Sequence, residues 1–184
     1  MADAELKTEV ILRPIKVENA LTIFKLSDIN RTYLAEWLPW VVHTTKVTDT
    51  TQFIKDAIRK MRDRTLFTAE IWYYNEIVGV IDLHGISSID KKAYIGYWLS
   101  QQAMGKGIVT RAVKTLIDYG FNEYNLNRIV IDIASTNFKS RAIPERLNLK
   151  EEGTLREDIN VNGVLMDRVI YAILRSEWLE QQTT

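Results

Sequence analysis

Two glycines, Gly105 and Gly107, between a strand-like run and a helical one constrain this chain more than any other feature. Ala93 to Leu99 is rich in aromatic and β-branched residues and reads as a strand. Ser100-Gln101-Gln102 is a polar link into Ala103-Met104-Gly105-Lys106-Gly107. From Ile108 the period changes. Ile108, Val109, Ala112, Val113, Leu116, Ile117 and Gly120 recur at helical spacing, while Thr110, Arg111, Lys114 and Asp118 face the other way. The unit is strand, glycine loop, helix. The first N–H groups of a helix lack partners and carry the positive end of its dipole. Glycines just ahead of them keep side chains away from a bulky anion, which suits phosphate or pyrophosphate with Lys106 at hand. Two glycines alone also make an ordinary tight turn.

Spacing narrows the choice. A Walker loop needs a Gly four residues before the Gly-Lys pair and a Ser or Thr after the Lys; here those positions hold Gln101 and Gly107. A dinucleotide fingerprint needs a third glycine, which is missing. The 24 basic residues balance 24 acidic ones, which argues against a large nucleic-acid surface. The absence of cysteine excludes disulfides, zinc thiolates and a thiol nucleophile, and no metal site is expected. The start, MADAELKTEV, lacks a signal pattern and no apolar run is long enough for a bilayer, so a cytoplasmic protein without membrane partners is expected by elimination.

The remainder reads as a mixed α+β chain whose 184 residues make one domain, 1–184, the natural expectation. Thr8 to Ile15 is a first strand ending near Pro14. Glu18 to Leu26 is a helix, and Ser27-Asp28 is expected to cap a second helix, Ile29 to Leu38, stopped by Pro39. Thr48-Asp49-Thr50-Thr51 caps a third, with Phe53, Ile54, Ala57, Ile58 and Met61 on its apolar face. Thr65 to Tyr73 and Glu76 to Leu83 form a hairpin through Tyr74-Asn75. Asn127 to Ser135 is a buried strand, and the helical crossover makes it parallel to Ala93–Leu99. Thr136 to Leu147 reads as a helix capped by Asn137 or Ser140, with Pro144 depriving the Ser140 carbonyl of its partner and Asn148 at the stop. Lys150 to Glu157 and Asp167 to Leu174 close the chain as a hairpin through Asn160 to Gly163, before a polar tail from Arg175. Five Trp in a neutral, aromatic-rich chain leave room for self-association, and a homo-oligomer is expected.

Gln102-Ala103-Met104-Gly105-Lys106-Gly107 matches the Gln/Arg-x-x-Gly-x-Gly/Ala loop of the GNAT N-acetyltransferases. With Gly96-Tyr97-Trp98-Leu99, Asn137-x-x-Ser140 and Gly153-Thr154-Leu155-Arg156, the chain resembles the ribosomal-protein (RimJ/RimL-type) branch of that superfamily over most of its length. The resemblance implies the GNAT acyl-CoA N-acyltransferase fold: a mostly antiparallel central sheet with one parallel, splayed strand pair, flanked by helices. It implies acetyl-CoA as cosubstrate, its pyrophosphate on the N–H groups of Met104 through Val109 (Met104, Gly105, Lys106, Gly107, Ile108, Val109), with Gln102 in the motif. Trp98 or Leu99 would supply an N–H for the oxyanion. Asn137 would hold the pantetheine arm, and Ser140 would protonate the sulfur. Both are equally read as helix caps. Trp40 and His43 would line the acceptor groove, although core packing at a helix corner also suits that segment.

The implied reaction is attack of a primary amine, a protein N-terminus (ribosomal by resemblance), on the thioester. Positioning alone supplies roughly 7–11 kcal/mol of such a barrier. Glu157 is the first candidate for the base, followed by Glu70, Asp82 and His84; where the family often has a Glu on the central strand this chain has Tyr94. A small amine acceptor or a non-catalytic acyl-CoA-binding module are the alternatives.

Overall fold

The computed structural model describes residues 10–183. A seven-stranded sheet runs in the order β1-β2-β3-β4-β5-β7-β6, with β1 Val10–Pro14, β2 Phe67–Tyr73, β3 Glu76–Ser87, β4 Lys92–Leu99, β5 Arg128–Ala134, β6 Lys150–Val161 and β7 Val164–Leu174. Every neighbouring pair is antiparallel except β4 and β5, which are parallel. That exception follows from the crossover helix α5, Ile108–Glu123, between them. The fold class read from the sequence is the one observed. Thr8 and Glu9 of the expected first strand lie outside the described residues.

The sheet packs on both faces. Odd-numbered residues of β4 and β5 (Ala93, Ile95, Ile129, Ile131, Ile133) meet α5 through Ala112, Val113, Leu116 and Ile117 in one core. The other face meets α1, Ala20–Ile29, and α4, Val47–Arg62, through Ile23, Ile54, Ala57 and Val80. Gly120 makes the first packing close: a Cβ there would lie 2.9 Å from the Ile129 side chain.

Two turns follow the chemistry of their residues. Tyr74 and Asn75 both take positive φ, 47° and 65°, as do Asn162 and Gly163, 53° and 85°. Two such residues between antiparallel strands match the right-handed strand twist.

The expected second helix is not found as one piece. α1 continues to Ile29, so Ser27 lies inside it, its hydroxyl donating to Phe24 O, instead of capping its successor. A shorter α2, Arg31–Ala35, follows Asn30, and α3, Trp40–His43, begins after Pro39. Asn30 is the reason for the break: it is 3% exposed, and both ends of its amide are engaged, Nδ2 donating to Leu26 O at 2.8 Å and Oδ1 accepting from Gln101 N–H at 2.8 Å. α4 begins at Val47, one residue before the expected cap, with Asp49 accepting from the N–H groups of Thr45 and Lys46. α6 spans Phe138–Arg146, and the tail forms α7, Arg175–Thr183, docked by the buried Trp178, whose indole N–H donates to Asp118 Oδ1 at 2.6 Å. The closing hairpin is longer than expected, reaching Val161 and resuming at Val164. No helix among the described residues is long and apolar enough to cross a membrane.

Candidate active site

The loop between β4 and α5 is built for an anion. A short 3-10 turn, Gln101–Ala103, leads to Met104 in extended conformation, then Gly105 at φ 75° and Gly107 at φ 66°. Gly107 is the N-cap of α5, left-handed at ψ 15°, a conformation that glycine adopts without the steric cost of a Cβ. The first helical bond runs from Arg111 N–H to Gly107 O, so the N–H groups of Ile108, Val109 and Thr110 precede it and point out of the helix end. A Cβ built at Gly105 meets nothing within 4 Å, which leaves its backbone open to a ligand. Lys106 lies with Nζ 5.6 Å from the centre of the Tyr73 ring.

Arg111 also belongs to this loop, although its helical position points it away from the core. Its guanidinium turns back and donates to Lys106 O at 3.1 Å. Arg111 thus sets a cation against the loop backbone, and Lys106 adds a second positive charge within the loop sequence. A basic residue one turn into the helix was the available signal.

The strand pair beside the loop opens. β4 and β5 are in register only at Lys92–Arg128, Ala93–Ile129 and Tyr94–Val130, whereas both strands continue beyond, β4 to Leu99 and β5 to Ala134. Ser100 N–H donates to Val78 O. By the alternation of an antiparallel ladder, even residues of β4 direct backbone groups to β3 and Ile95, Tyr97 and Leu99 direct theirs into the gap. Leu99 thus presents its amide there, while Trp98 directs its own toward β3 and contributes its indole. That indole lies 6.1 Å, centroid to centroid, from the ring of Trp40 on α3. His43 ends the same short helix and is exposed.

Across the gap, Asn137 caps α6, its Oδ1 accepting from Ser140 N–H at 3.2 Å. Pro144 has no N–H to offer the Ser140 carbonyl four residues earlier. Tyr97 fills that role: its phenol donates to Ser140 O at 3.1 Å and accepts from Ser140 Oγ at 3.1 Å. Burial raises the Tyr97 pKa well above that of a free phenol, and the Ser140 hydrogen bond only partly opposes it, so the phenol stays protonated.

Glu157 stands elsewhere. It is exposed on β6 at a break in register, φ 51°, with its N–H donating to Asp167 Oδ1, and β7 and β5 lie between its strand and β4. Glu70 is buried and committed, accepting from Asn19, Lys16 N–H and the Trp72 indole. Among the described residues no group of three or more His, Asp or Glu gathers as a metal site.

Residues 9–150 match the family model described as "Acetyltransferase (GNAT) domain". The chain is 35% identical, over 97% of its length and 98% of the relative's, to the Bacillus subtilis (strain 168) protein named "Putative ribosomal N-acetyltransferase YdaF". The structure of the ribosomal alpha-N-protein acetyltransferase RimL with coenzyme A is similar at TM-score 0.87 and 26% identity, covering 91% of this chain and 94% of that one. The microcin self-immunity acetyltransferase MccE with acetyl-CoA and AMP is similar at TM-score 0.86 and 29% identity, covering 90% and 92%. The open loop and parted strands fit coenzyme A, and acetyl-CoA is the cosubstrate. The chain belongs to the GNAT acetyltransferase family and is an acetyl-CoA-dependent N-acetyltransferase.

Proposed function

We propose that the acceptor is the N-terminal amine of a protein, a ribosomal protein in the first instance. The single observation that carries this reading is a bridge across the acceptor side. Asn162, in the β6–β7 turn, donates to Ala35 O at 2.7 Å and Glu36 O at 3.2 Å at the end of α2. The contact ties the β6–β7 turn to the segment that leads into Trp40, whose ring meets Trp98; this supports a roofed acceptor entry, suited to the end of an extended chain rather than to a side chain on a folded surface. The ribosomal names of YdaF and RimL support the same reading.

In this scheme the diphosphate of acetyl-CoA rests on the amides of Met104 to Val109, beside Lys106 and Arg111, with Gln102 at the start of the loop. The arm follows the gap past Asn137. The thioester oxygen meets the Leu99 amide or that of Tyr97. The amine attacks the carbonyl carbon, the C–S bond breaks, and the Ser140 hydroxyl passes a proton to the departing sulfur. An ammonium thereby loses two protons: one ends on the thiol, the other in solvent.

The similarity to MccE, solved with AMP, favours as a second reading a small amine-bearing molecule. Thiol release from acetyl-CoA, with peptides beginning in Ser or Ala set against polyamines, amino acids and aminoacyl nucleotides, decides between them. N-terminally acetylated peptide, identified by mass spectrometry, is the expected product. Turnover confined to the small amines replaces this reading by the second.

A further inference from the structure

On the acceptor side of the sheet, β3 carries a pair that stands over the point where β4 and β5 part. His84 Nδ1 and Asp82 Oδ1 are 2.7 Å apart. Asp82 is opposite Gly96 and His84 opposite Tyr94, the last residue of β4 in register with β5. Gly96 lets the pair approach: a Cβ there would lie 3.3 Å from Asp82 Oδ1 and 3.5 Å from His84 Cε1. Tyr94 stacks on the imidazole at 5.8 Å between centroids and 19° between planes. The ring is thus held on three sides, by Asp82, Tyr94 and the Gly96 backbone. With Nδ1 turned to the carboxylate, Nε2 is the atom left to exchange a proton. The His84 side chain is 46% exposed, open enough for that exchange.

We propose that His84 is the general base of the transfer, with Asp82 as the residue that positions it, in place of a carboxylate at position 94. The inference rests on acetyl transfer to an amine and is independent of which amine is used. The Nε2 lone pair takes one proton from the acceptor nitrogen as its bond to the carbonyl carbon forms, and the imidazolium returns that proton to solvent. The second amine proton leaves the nitrogen as the tetrahedral adduct collapses and replaces the one that the Ser140 hydroxyl gives to the sulfur, so that Ser140 ends as it began. The two groups work from opposite faces of the sheet: His84, Asp82 and Trp98 from the acceptor face, Tyr97 and Ser140 from the α5–α6 face, with the gap between them.

The charged neighbours agree with the role. The Asp82 hydrogen bond raises the His84 pKa above its ordinary value; desolvation opposes this, and the charges of Asp82 and of Asp132 on β5 add to it. Asp132 is itself paired with Arg168 on β7 at 2.5 Å, which tempers its pull. Tyr94 faces the ring from β4, and Thr68 faces Asp82 from β2.

Two measurements test the proposal on the full chain. The protein has two histidines, His43 and His84, so imidazole titration by NMR reads His84 without any acceptor. It should titrate above roughly 6.5, and Asp82→Asn should lower it. The acid limb of kcat/KM for amine acetylation, followed by thiol release with two acceptors of different amine pKa, should shift in the same direction in Asp82→Asn. In His84→Gln that limb should vanish and the rate fall by about 10²-fold or more, with acetyl-CoA affinity retained as the check on folding. A limb and rate unchanged in His84→Gln, a limb that follows only the acceptor's amine, or a limb lost instead in Glu157→Gln overturns the assignment. Wild-type activity restricted to small amines changes the acceptor reading and leaves this one intact. Wild-type protein that releases thiol with no amine overturns the base together with the transfer it serves.

Discussion

The Tyr97 phenol lies 3.1 Å from both the hydroxyl and the carbonyl oxygen of Ser140, binding β4 to α6 across the parted strands. Pro144 creates the need, since it leaves the Ser140 carbonyl without a helical donor, and Tyr97 meets it from a residue 43 positions away. Tyr97→Phe strips the donor from a part-buried carbonyl. The expected cost is about 1–3 kcal/mol in denaturant unfolding, together with a lower kcat at nearly unchanged KM for acetyl-CoA. Ser140→Ala should lower kcat by about 10²-fold while acetyl-CoA affinity holds. A rate untouched in Ser140→Ala reduces that residue to part of a helix start.

Gly107→Asp should abolish acetyl-CoA binding. The position is left-handed at φ 66°, so any side chain costs about 1–2 kcal/mol there, and a carboxylate beside the amides of Ile108 and Val109 repels the diphosphate. Gly107→Ala separates the two effects, carrying the strain without the charge. Calorimetric titration with coenzyme A should therefore rank wild type above Ala and Ala above Asp; equal affinities in all three would remove the loop from the cofactor site.

How far these features were legible depends on the distance between the partners. The glycine loop and the apolar stripe of α5 are local patterns and survive from sequence to structure unchanged. The parallel relation of β4 and β5 follows from one crossover. The parting of those strands does not, because it is a loss of pairing between residues 36 apart, Lys92 and Arg128 being the first pair kept. The break at Asn30 was equally hidden: the side chain looks like an ordinary polar helix residue until Gln101 supplies its partner. Glu157 is the first base candidate by a local motif match, and a motif match does not show that β5 and β7 lie between its strand and β4; Asp82 and His84 sit on a strand whose alternation alone does not say which face is open.

Acid lability should localise in part to the outer strands. Arg128 on β5 pairs with Glu152 on β6, and the hydrogen bond from Arg128 holds the Glu152 carboxyl below its ordinary pKa, desolvation opposing. A depressed folded pKa means that the stabilisation is present above the unfolded value of roughly 4.3 and fades as pH falls through the folded value. Glu152→Gln should flatten the melting temperature against pH below that point and leave it parallel to wild type above pH 6. An unchanged acid slope would mean the pair is equally favourable in the unfolded chain.

Trp40→Ala should separate the two substrates. Its ring meets Trp98 on the acceptor face, away from the glycine loop, so KM for the amine should rise severalfold while KM for acetyl-CoA stays put. A lost aromatic contact with the acceptor of about 0.5–1.5 kcal/mol corresponds to a rise of roughly two- to twelvefold. Equal shifts in both KM values would place Trp40 in the scaffold.

Asn30 offers a test of whether the acceptor segment and the cofactor loop are mechanically joined. Its amide fixes the end of α1 through Leu26 O and, in the same plane, accepts from the N–H that begins the Gln101–Ala103 turn. Asn30→Ala removes the acceptor of the part-buried Gln101 N–H, at a cost of about 0.5–1.5 kcal/mol. Asn30→Asp keeps the acceptor for Gln101 and replaces the donor to Leu26 by a buried carboxylate oxygen facing the Leu26 carbonyl. If the Gln101 contact sets the loop, Asp should retain acetyl-CoA affinity that Ala loses, although both lower the melting temperature. Affinity that tracks stability in both variants would show that Asn30 serves the helix corner alone.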